Sequence, residues 1–339
     1  MARTLSRSNK IGRSAVEVSP LGVGGGPFGN LFSKVEDADV DAVIQNAAAA
    51  GVTFFDTSPF YGFGLSERRM GDALRNLPRD SFALSTKVGR LLYPLAGGVS
   101  QRAPSAFDSP MPFDFVFDYS YDGIMRSYEA SLHRLGLGSI DILLIHDLSR
   151  DMHAPDEYAR HFKIAMESGL KAASELRSSG DIKAIGLGVN TVEPCLESLQ
   201  YGDMDVFLLA SRYTLLEQSN TDVLFDECLK RDISIIAGAP FNSGILVTGS
   251  RVTTTYDHAP ATGAVLERVA ALEDICRSHG VALPAAALQF PLRHKAVAAV
   301  LPGLRNDKEL SSALSWFGAE ISEAFWDELA ANKALAEIS

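Results

Sequence analysis

Short apolar and β-branched runs alternate along the chain with longer segments of helical periodicity. Runs of this kind are typical of buried parallel strands, and the segments between them predict the helices that connect such strands. Eight runs, with no linker or change of composition between them, predict a single domain over residues 1–339, folded as a closed (β/α)₈ TIM barrel of the α/β class. The runs lie at residues 21–25, 52–57, 82–88, 141–147, 182–189, 206–211, 233–239 and 296–302.

Signals for the start and end of helices separate these runs. Ser120 is a typical N-cap and Gly136 a typical C-terminal residue, so together they bound one predicted helix. Residues 10–22 predict a hairpin that plugs the N-terminal mouth of the barrel, and residues 321–336 predict an extra helix after the eighth unit. The other predicted helices lie at residues 36–50, 66–77, 156–179, 191–200, 219–231, 263–279 and 306–315.

Two connections are longer than ordinary barrel turns. Residues 89–119 follow the third strand, and residues 240–262 follow the seventh. Both therefore belong to the C-terminal face, where barrel enzymes carry their chemistry. Long loops are usually functional or disordered, and the first one carries aromatic residues that favour a substrate-side lid: Phe107, Phe113, Phe115, Phe117 and Tyr119.

The charge balance narrows the class of partner. The 31 basic and 42 acidic residues give a net charge of −11, which disfavours nucleic acids and anionic membranes as partners. No segment has the run of ~18 apolar residues that a membrane span needs, and the three cysteines are spaced as free thiols of a reducing compartment. We expect a soluble cytoplasmic protein that acts on a small molecule, either as a monomer or as a dimer.

Four polar residues stand at or just after the ends of neighbouring strands: Asp56, Tyr61, Lys87 and His146. The C-terminal strand ends of a barrel converge on one mouth, so we expect these side chains to meet there. Lys87, held by Asp56, would lower the pKa of the Tyr61 phenol so that it can transfer a proton. A neutral His146 would donate a hydrogen bond to the substrate oxygen.

Such a site moves a proton but has no group that accepts a hydride, and it requires no metal. A nicotinamide is the natural acceptor, although the chain lacks the glycine-rich turn of Rossmann domains and the glycines at 22–26 do not lead directly into a helix. A metal-dependent barrel hydrolase is the alternative. It would need several histidine ligands at strand ends, whereas only His146 of the seven histidines occupies one.

The stretch FFDTSPFYGFGLSERRMGDAL, followed by STKVG and LLIHD, resembles the signature segments of the aldo-keto reductase superfamily, over residues 12 to about 315. The resemblance implies a (β/α)₈ barrel, NAD(P)H bound in an extended form across its mouth, and a catalytic tetrad of Asp56, Tyr61, Lys87 and His146. Some members of the superfamily bind the cofactor while serving channels. A redox-sensing regulatory subunit is therefore the non-enzymatic alternative.

The same resemblance assigns cofactor contacts by position. Asn190 matches the family asparagine at the nicotinamide carboxamide, and Ala210 or Ser211 stands where the family has a glutamine. Gly238 falls nearest the position of the usual stacking aromatic residue, so Phe241 would stack under the nicotinamide ring instead. Clustered backbone amides in the loop after the seventh strand would line the pyrophosphate. The residues expected to supply those amides are Ser243, Gly244 and Leu246, and the further expected cofactor contacts are Gly25, Asp56, Gly303, Arg305 and Glu309.

The segment after the eighth strand bears on the choice of dinucleotide. Gly303 and Glu309 stand where NADP-dependent relatives carry a lysine and an arginine that bind the 2′-phosphate. A carboxylate repels that phosphate, so the resemblance implies that NAD is preferred, with Glu309 accepting a hydrogen bond from the free ribose hydroxyl. Arg305 is the residue that would still reach the phosphate, which leaves NADP as the alternative.

Three further segments, GGGPFGNLF, SRYTLLEQ and GAPFNSGIL, are similar to a bacterial and plant branch of the superfamily. Members of this branch oxidise aldoses such as L-fucose and L-galactose, or pyridoxal, to lactones, and both kinds of substrate are cyclic hemiacetals. The resemblance therefore implies an oxidoreductase acting on a sugar of the L-fucose type. Pyridoxal oxidation and a general aldehyde reductase activity are the alternatives.

Overall fold

The computed structural model describes residues 5, 8–97, 105–251, 255–257 and 259–332. Its first strands, β1 (Asn9–Lys10) and β2 (Glu17–Val18), form the predicted antiparallel hairpin. The apolar side chains Ile11, Val16 and Val18 are buried and pack against residues that fill the barrel interior, among them Phe54 and Leu144. The hairpin is therefore anchored by apolar burial under the N-terminal end of the barrel, as the sequence predicted.

The eight predicted runs all form parallel strands of one sheet. Most of their residues are buried, as expected of strands covered by core on one face and helices on the other. Parallel bridges from Leu21 to Val300 and from Gly24 to Gly303 join the first barrel strand to the last and close the sheet. The strands are β3 (Val23–Gly24), β4 (Phe54–Asp56), β5 (Ala83–Val88), β8 (Ile142–His146), β9 (Ala184–Val189), β10 (Val206–Ala210), β11 (Ser234–Gly238) and β14 (Val297–Leu301).

Helices cover the outside of the barrel. Ser120 caps its helix by accepting from the Gly123 amide, and Gly136 ends that helix in the left-handed conformation. The first helices are α1 (Asp37–Ala49), α2 (Leu65–Leu74), α3 (Tyr121–Leu135), α4 (Pro155–Ile164), α5 (Leu170–Ser179) and α6 (Glu193–Ser198). The later ones are α7 (Thr221–Arg231), α8 (Ile245–Thr248), α9 (Gly263–Ser278), α10 (Leu283–Gln289), α11 (Asp307–Gly318) and α12 (Glu323–Ala331).

Two details of the helices differ from the sequence prediction, and one predicted helix is confirmed. The single helix predicted over 156–179 is α4 and α5 joined by a π-helical turn, Ala165–Gly169. Helix α10 was not predicted, because its short run of apolar residues has no polar face that would reveal a helical period. The extra C-terminal helix is confirmed as α12, and the predicted residues after Asn332 lie outside the described part of the chain.

The connection after β5, which the sequence predicted to be a long loop forming a substrate-side lid, contains regular structure. Strands β6 (Arg90–Pro94) and β7 (Phe113–Phe117) pair antiparallel, with Arg90 opposite Phe117. We refer to β6 and β7 as the aromatic hairpin, because the Phe115 and Phe117 rings are in edge-to-face contact within it. Residues 98–104 of this connection lie outside the described residues.

The connection after β11 is also partly regular. It contains a 3₁₀ turn at Asn242–Gly244, helix α8, and a short pairing of β12 (Thr255–Tyr256) with β13 (Ala259–Pro260). Residues 252–254 and 258 lie outside the described part. Both long connections leave the C-terminal ends of their strands, so they flank the same mouth of the barrel.

The remaining sequence expectations concern membranes, metals and thiols. None of the described helices is long and apolar enough to cross a bilayer. The part of the chain that the structure describes holds no group of three or more His, Cys, Asp or Glu side chains that could bind a metal ion. Cys195, Cys228 and Cys276 are buried free thiols. Burial raises the pKa of Cys228 and of Cys276 to about 12, so these thiols are unreactive at neutral pH.

Candidate active site

The four residues predicted to meet at the barrel mouth are brought together there. Asp56 and His146 are the last residues of β4 and β8, and Lys87 is the last residue but one of β5, between these strands in the sheet. Tyr61 lies in the turn after β4, where its amide donates to the carbonyl of Ser58. Its ring centroid is 6.1 Å from that of His146. Strand order alone therefore explains the convergence.

Lys87 and Asp56 form a buried ion pair. The Lys87 ammonium donates to both carboxylate oxygens of Asp56, at 2.8 and 2.7 Å, and to the carbonyl of Thr57 at 2.8 Å. The hydroxyl of Ser85 donates to the same carboxylate. Burial alone would lower the pKa of Lys87, but Asp56 and Tyr61 outweigh burial and raise it, so the ammonium stays charged.

The Lys87 ammonium lies 5.2 Å from the centroid of the Tyr61 ring. It acts to lower the pKa of the phenol, as predicted, but burial of the phenol is the larger effect, and the nearby carboxylates of Asp56 and Asp147 act in the same direction as burial. The pKa of Tyr61 is therefore raised above its ordinary value. This corrects the expectation of a lowered pKa, which counted the cation and left out the loss of water.

His146 is buried and neutral. Burial, together with the positive charges of Arg90 and Lys87, holds its pKa well below the ordinary value. Its Nδ1 lies 3.2 Å from the hydroxyl of Ser58, which itself accepts from the Phe60 amide. The hydroxyl keeps its own proton to donate, so we assign Nδ1 as the acceptor, which places the imidazole proton on Nε2. The geometry thus supplies a neutral N–H donor close to Tyr61.

The loops after β9 and β11 each contain a buried polar atom without a partner, and such atoms show whether these loops suit a cofactor. Thr191 Oγ1 and Asn242 Oδ1 are buried and have no hydrogen-bond partner. A buried unpaired acceptor or hydroxyl is costly, so both are open to a ligand group. Gly244 has φ +98° and nothing within 4 Å of the position that a Cβ would take. These features suit the carboxamide and phosphates of a dinucleotide.

The predicted cofactor residues in these loops are placed as follows. Asn190 and Ser211 directly follow β9 and β10, and Ser211 O accepts from Asn242 Nδ2 at 3.3 Å. Phe241 keeps part of its ring exposed and contacts the edge of Trp316. The amides of Gly244 and Leu246 both donate to the carbonyl of Phe241, at 3.0 and 3.3 Å. In this conformation those two amides are engaged by the Phe241 carbonyl, and their contact with a pyrophosphate stays a prediction.

The other glycine candidates pack strands together. The amide of Gly25 donates to Asp56 O at 2.7 Å, and a Cβ on Gly25 would come within 2.8 Å of that oxygen and of Ser66 Oγ. Gly25 is therefore needed for the close approach of the segment after β3 to the end of β4. Gly303 is exposed beside Gly24, with which it forms a bridge.

Arg305 and Glu309 bind each other. The Arg305 guanidinium approaches Glu309 Oε1 at 2.6 and 2.8 Å, and the Arg305 amide donates to Oε2 at 2.9 Å. The sequence predicted opposite roles for these two residues toward a 2′-phosphate. In the structure the carboxylate that would repel the phosphate also holds the guanidinium that would bind it.

Two charged residues next to the site were not singled out from the sequence. Arg90 starts the aromatic hairpin and donates to Oδ2 of Asp147, and both residues are buried. The Arg90 guanidinium also lies 3.9, 4.4 and 4.7 Å from the ring centroids of Phe60, Phe115 and Phe117. The signal was present in STKVGR and LLIHD, where each charge comes just after a strand.

Comparisons with known proteins identify the family of this chain. A sequence model of the Aldo/keto reductase family matches residues 20–333. The chain is 39% identical over 332 residues to a pyridoxal 4-dehydrogenase of Microbacterium luteolum, covering 96% of each chain. It is 35% identical over 324 residues to a D-threo-aldose 1-dehydrogenase of a Pseudomonas species, covering 94% of each.

Solved structures support the fold. An aldo-keto reductase from Bacillus halodurans is similar with a TM-score of 0.73 at 20% identity, over 96% of this chain and 95% of that one. A glycerol dehydrogenase from Gluconobacter oxydans is similar with a TM-score of 0.74 at 19% identity, over 97% and 95%. At this identity the likeness concerns the barrel alone.

Proposed function

We propose that this chain, which belongs to the aldo/keto reductase family, oxidises a cyclic hemiacetal to its lactone with NAD(P)⁺. It is an oxidoreductase by family. The observation that carries the proposal is the meeting of the Tyr61 phenol, the Lys87–Asp56 pair and the neutral His146 at one mouth. Two relatives are named for the oxidation of pyridoxal and of an aldose, and both of these compounds close into hemiacetals.

The chain's own residues handle the proton. His146 Nε2–H donates to the oxygen of the substrate hydroxyl, and the Tyr61 oxygen accepts the hydroxyl proton. Lys87 offsets the negative charge that the Tyr61 oxygen carries before it accepts that proton, and Asp56 holds Lys87 in place. A bound nicotinamide supplies the hydride acceptor. The residues that would hold the cofactor are Gly25, Asp56, Asn190, Ser211, Phe241, Ser243, Gly244, Leu246, Gly303, Arg305 and Glu309.

The raised pKa of Tyr61 sets the direction of the pH dependence. Oxidation needs the phenolate, which accepts the proton, and reduction needs the phenol, which donates it. Because burial keeps the phenol protonated at neutral pH, the rate of oxidation rises as pH increases toward the pKa of Tyr61. Aldehyde reduction falls over the same range.

The cofactor is NAD by preference. Gly303 offers no cation to a 2′-phosphate, and Glu309 places a carboxylate in the first turn of α11. Its bond to Arg305 keeps the nearest guanidinium occupied. Both features favour a free ribose hydroxyl over a phosphate.

The aromatic hairpin favours a flat substrate over a sugar. Phe115 packs edge-to-face on Phe60, whose ring centroid is 6.3 Å from that of His146. Aromatic walls suit a pyridine ring, and a pyranose with several hydroxyls needs more polar partners than these rings offer. We therefore place pyridoxal first. A sugar of the L-fucose type, which the sequence favoured, is the second candidate and is supported by the aldose dehydrogenase relative.

A substrate screen tests the proposal. Pyridoxal, L-fucose, L-galactose and simple aldehydes are each offered with NAD⁺ and with NADP⁺, and the absorbance of the reduced cofactor is followed at several pH values. Tyr61→Phe serves as the blank for each pair. Oxidation of a hemiacetal by the parent alone supports the proposal. Activity confined to aldehyde reduction, or equal rates in the blank, would contradict it.

A further inference from the structure

A buried ion pair lies beside the His146 imidazole. Arg90 is 1% exposed and donates to Oδ2 of Asp147, which is buried with it. The same Oδ2 lies 3.5 Å from Nε2 of His146. One carboxylate oxygen is therefore within reach of both a permanent cation and the N–H that the proposed reaction needs.

The surroundings of Arg90 do not account for it as a structural residue. Nε and Nη1 of the guanidinium are buried and have no hydrogen-bond partner. Contacts with the rings of Phe60, Phe115 and Phe117 stabilise the cation. Buried ion pairs with unsatisfied donors nevertheless give little net stability compared with apolar packing. The arrangement therefore serves to hold a positive charge next to Asp147.

Neutral histidine has one N–H to donate. With Ser58 donating to Nδ1, that proton is on Nε2, and Asp147 is the carboxylate nearest to it. Without a compensating cation, Asp147 would attract the proton into a hydrogen bond and favour the imidazolium. The hydrogen bond occupies the N–H that the substrate oxygen needs, and the imidazolium adds a proton at Nδ1, where the imidazole contacts the Ser58 hydroxyl.

We propose that Arg90 is a positioning residue, which neutralises Asp147 and so leaves the Nε2–H of His146 free for the substrate oxygen. The inference rests on the proposed function, in which His146 acts as a neutral donor. It deepens that function by adding two residues, Arg90 and Asp147, that control the donor without reacting themselves.

The other groups around His146 agree with this assignment. Lys87 on β5 is bound to Asp56, so its charge is compensated by a different carboxylate. Tyr61 faces the imidazole as a phenol. Tyr119, which follows β7, donates to the main-chain oxygen of His146 at 2.9 Å and lies 3.2 Å from His153 Nε2, and so contacts the backbone rather than the ring of His146. Asp151 is the further carboxylate that acts on Asp147.

Three variants test the proposal: R90M, R90K and R90M/D147N. In R90M we expect kcat to fall about 10²-fold, the effect of losing one preorganised donor, with a smaller change in KM. R90M/D147N also lacks the competing carboxylate, so we expect its kcat to be at least about tenfold higher than that of R90M. R90K keeps a positive charge beside Asp147 but loses the planar guanidinium that contacts the three rings, so we expect its kcat to lie between those of the parent and R90M.

Heteronuclear NMR of the imidazole nitrogens, in enzyme without substrate, gives a readout that does not depend on activity. His146 stays neutral over the accessible pH range in the parent and in R90M/D147N, and its Nε2 signal shifts toward that of the imidazolium or a hydrogen-bonded N–H in R90M. The titration is informative even if no hemiacetal is a substrate, so failure of the proposed function and failure of this inference are distinguishable.

Two results would overturn the inference. One is a double variant no more active than R90M, since Arg90 would then act without Asp147. The other is a His146 signal in R90M that matches the parent. If R90M fails to fold, as shown by circular dichroism, the double variant is compared directly with the parent. Turnover within about tenfold of the parent supports the proposal, and a loss of about 10²-fold contradicts it.

Discussion

Glu309→Gln is the substitution that addresses the choice of dinucleotide most directly. It removes one negative charge while leaving an amide oxygen that can still accept from the Arg305 backbone N–H, which now donates to Glu309 Oε2. The start of α11 is retained, because Asn306 Oδ1 caps the helix by accepting from the main-chain amide of Glu309, which the substitution leaves in place. The change therefore isolates the carboxylate that both repels a 2′-phosphate and holds Arg305.

The size of the effect follows from the exposure of the pair. The side chains of Arg305 and Glu309 are 51% and 30% exposed, so the ion pair itself is worth at most about 1 kcal/mol. A hydrogen bond from a freed guanidinium to a phosphate is worth roughly 1.5–3 kcal/mol, which we discount to about 1–2 kcal/mol at this exposure. Since 1.4 kcal/mol is a factor of ten, we expect the affinity for NADPH relative to NADH to rise about tenfold.

Fluorescence titration of NADH and NADPH measures this ratio without turnover. The set comprises the parent, E309Q, R305M and the double variant E309Q/R305M. Asp307→Asn is the matched control, because it removes the same charge from the same helix turn at an exposed residue whose carboxylate accepts from Asn46 Nδ2 at 2.7 Å. It should leave the ratio near that of the parent.

A ratio in E309Q within about twofold of the parent would refute the assignment of Glu309 to the ribose. A gain that survives in E309Q/R305M would show that relief of repulsion alone acts, with no new bond from Arg305. A gain of the same size in D307N would mean that the net charge at the start of α11 controls the affinity ratio. Glu309 would then have no specific contact with the ribose.

Three other predictions concern the reacting oxygen, its cation and the packing of the barrel. Tyr61→Phe should lower turnover by at least about 10² with an unchanged Kd for NADH, and retention of a tenth of the parent rate would remove Tyr61 from the role. Lys87→Met should raise the pKa of Tyr61 further, because Lys87 lowers it, so the rise of the oxidation rate with pH should move to higher pH; an unmoved profile would make Lys87 purely structural. Gly71→Ala should destabilise the fold by about 3 kcal/mol in urea denaturation, since its Cβ would lie 1.8 Å from Leu135 O, whereas Gly138→Ala meets nothing within 4 Å and should be nearly neutral.

The barrel and the meeting of the four polar residues were predictable because both follow from local patterns. An apolar run ending in a polar residue identifies a strand and its C-terminal end. The barrel topology then brings Asp56, Lys87 and His146 together at one mouth. The placement of Tyr61 was predictable because only a short turn separates it from the end of β4. None of these placements depends on a distant contact that the sequence conceals.

What escaped the sequence depends on pairing and burial. The aromatic hairpin joins segments that are far apart in the chain, and its β6 has no clear alternation that would mark a strand. The Arg90–Asp147 pair joins residues that are 57 positions apart and follow the neighbouring strands β5 and β8. The direction of the Tyr61 pKa shift was missed because the pattern shows which charges are near but not how much water is excluded.

The aromatic hairpin enters and leaves the barrel at nearly one point. The amide of Asp118 donates to Gly89 O at 3.0 Å, and Gly89, at φ +100°, is so close to the Tyr119 ring that a Cβ there would clash. The insertion is thus closed at its base, and the barrel strands on either side do not depend on its length. In evolution or in the laboratory, the part of the insertion beyond Arg90 can be exchanged as a unit, so that one proton-transfer centre serves new substrates by replacement of a single wall.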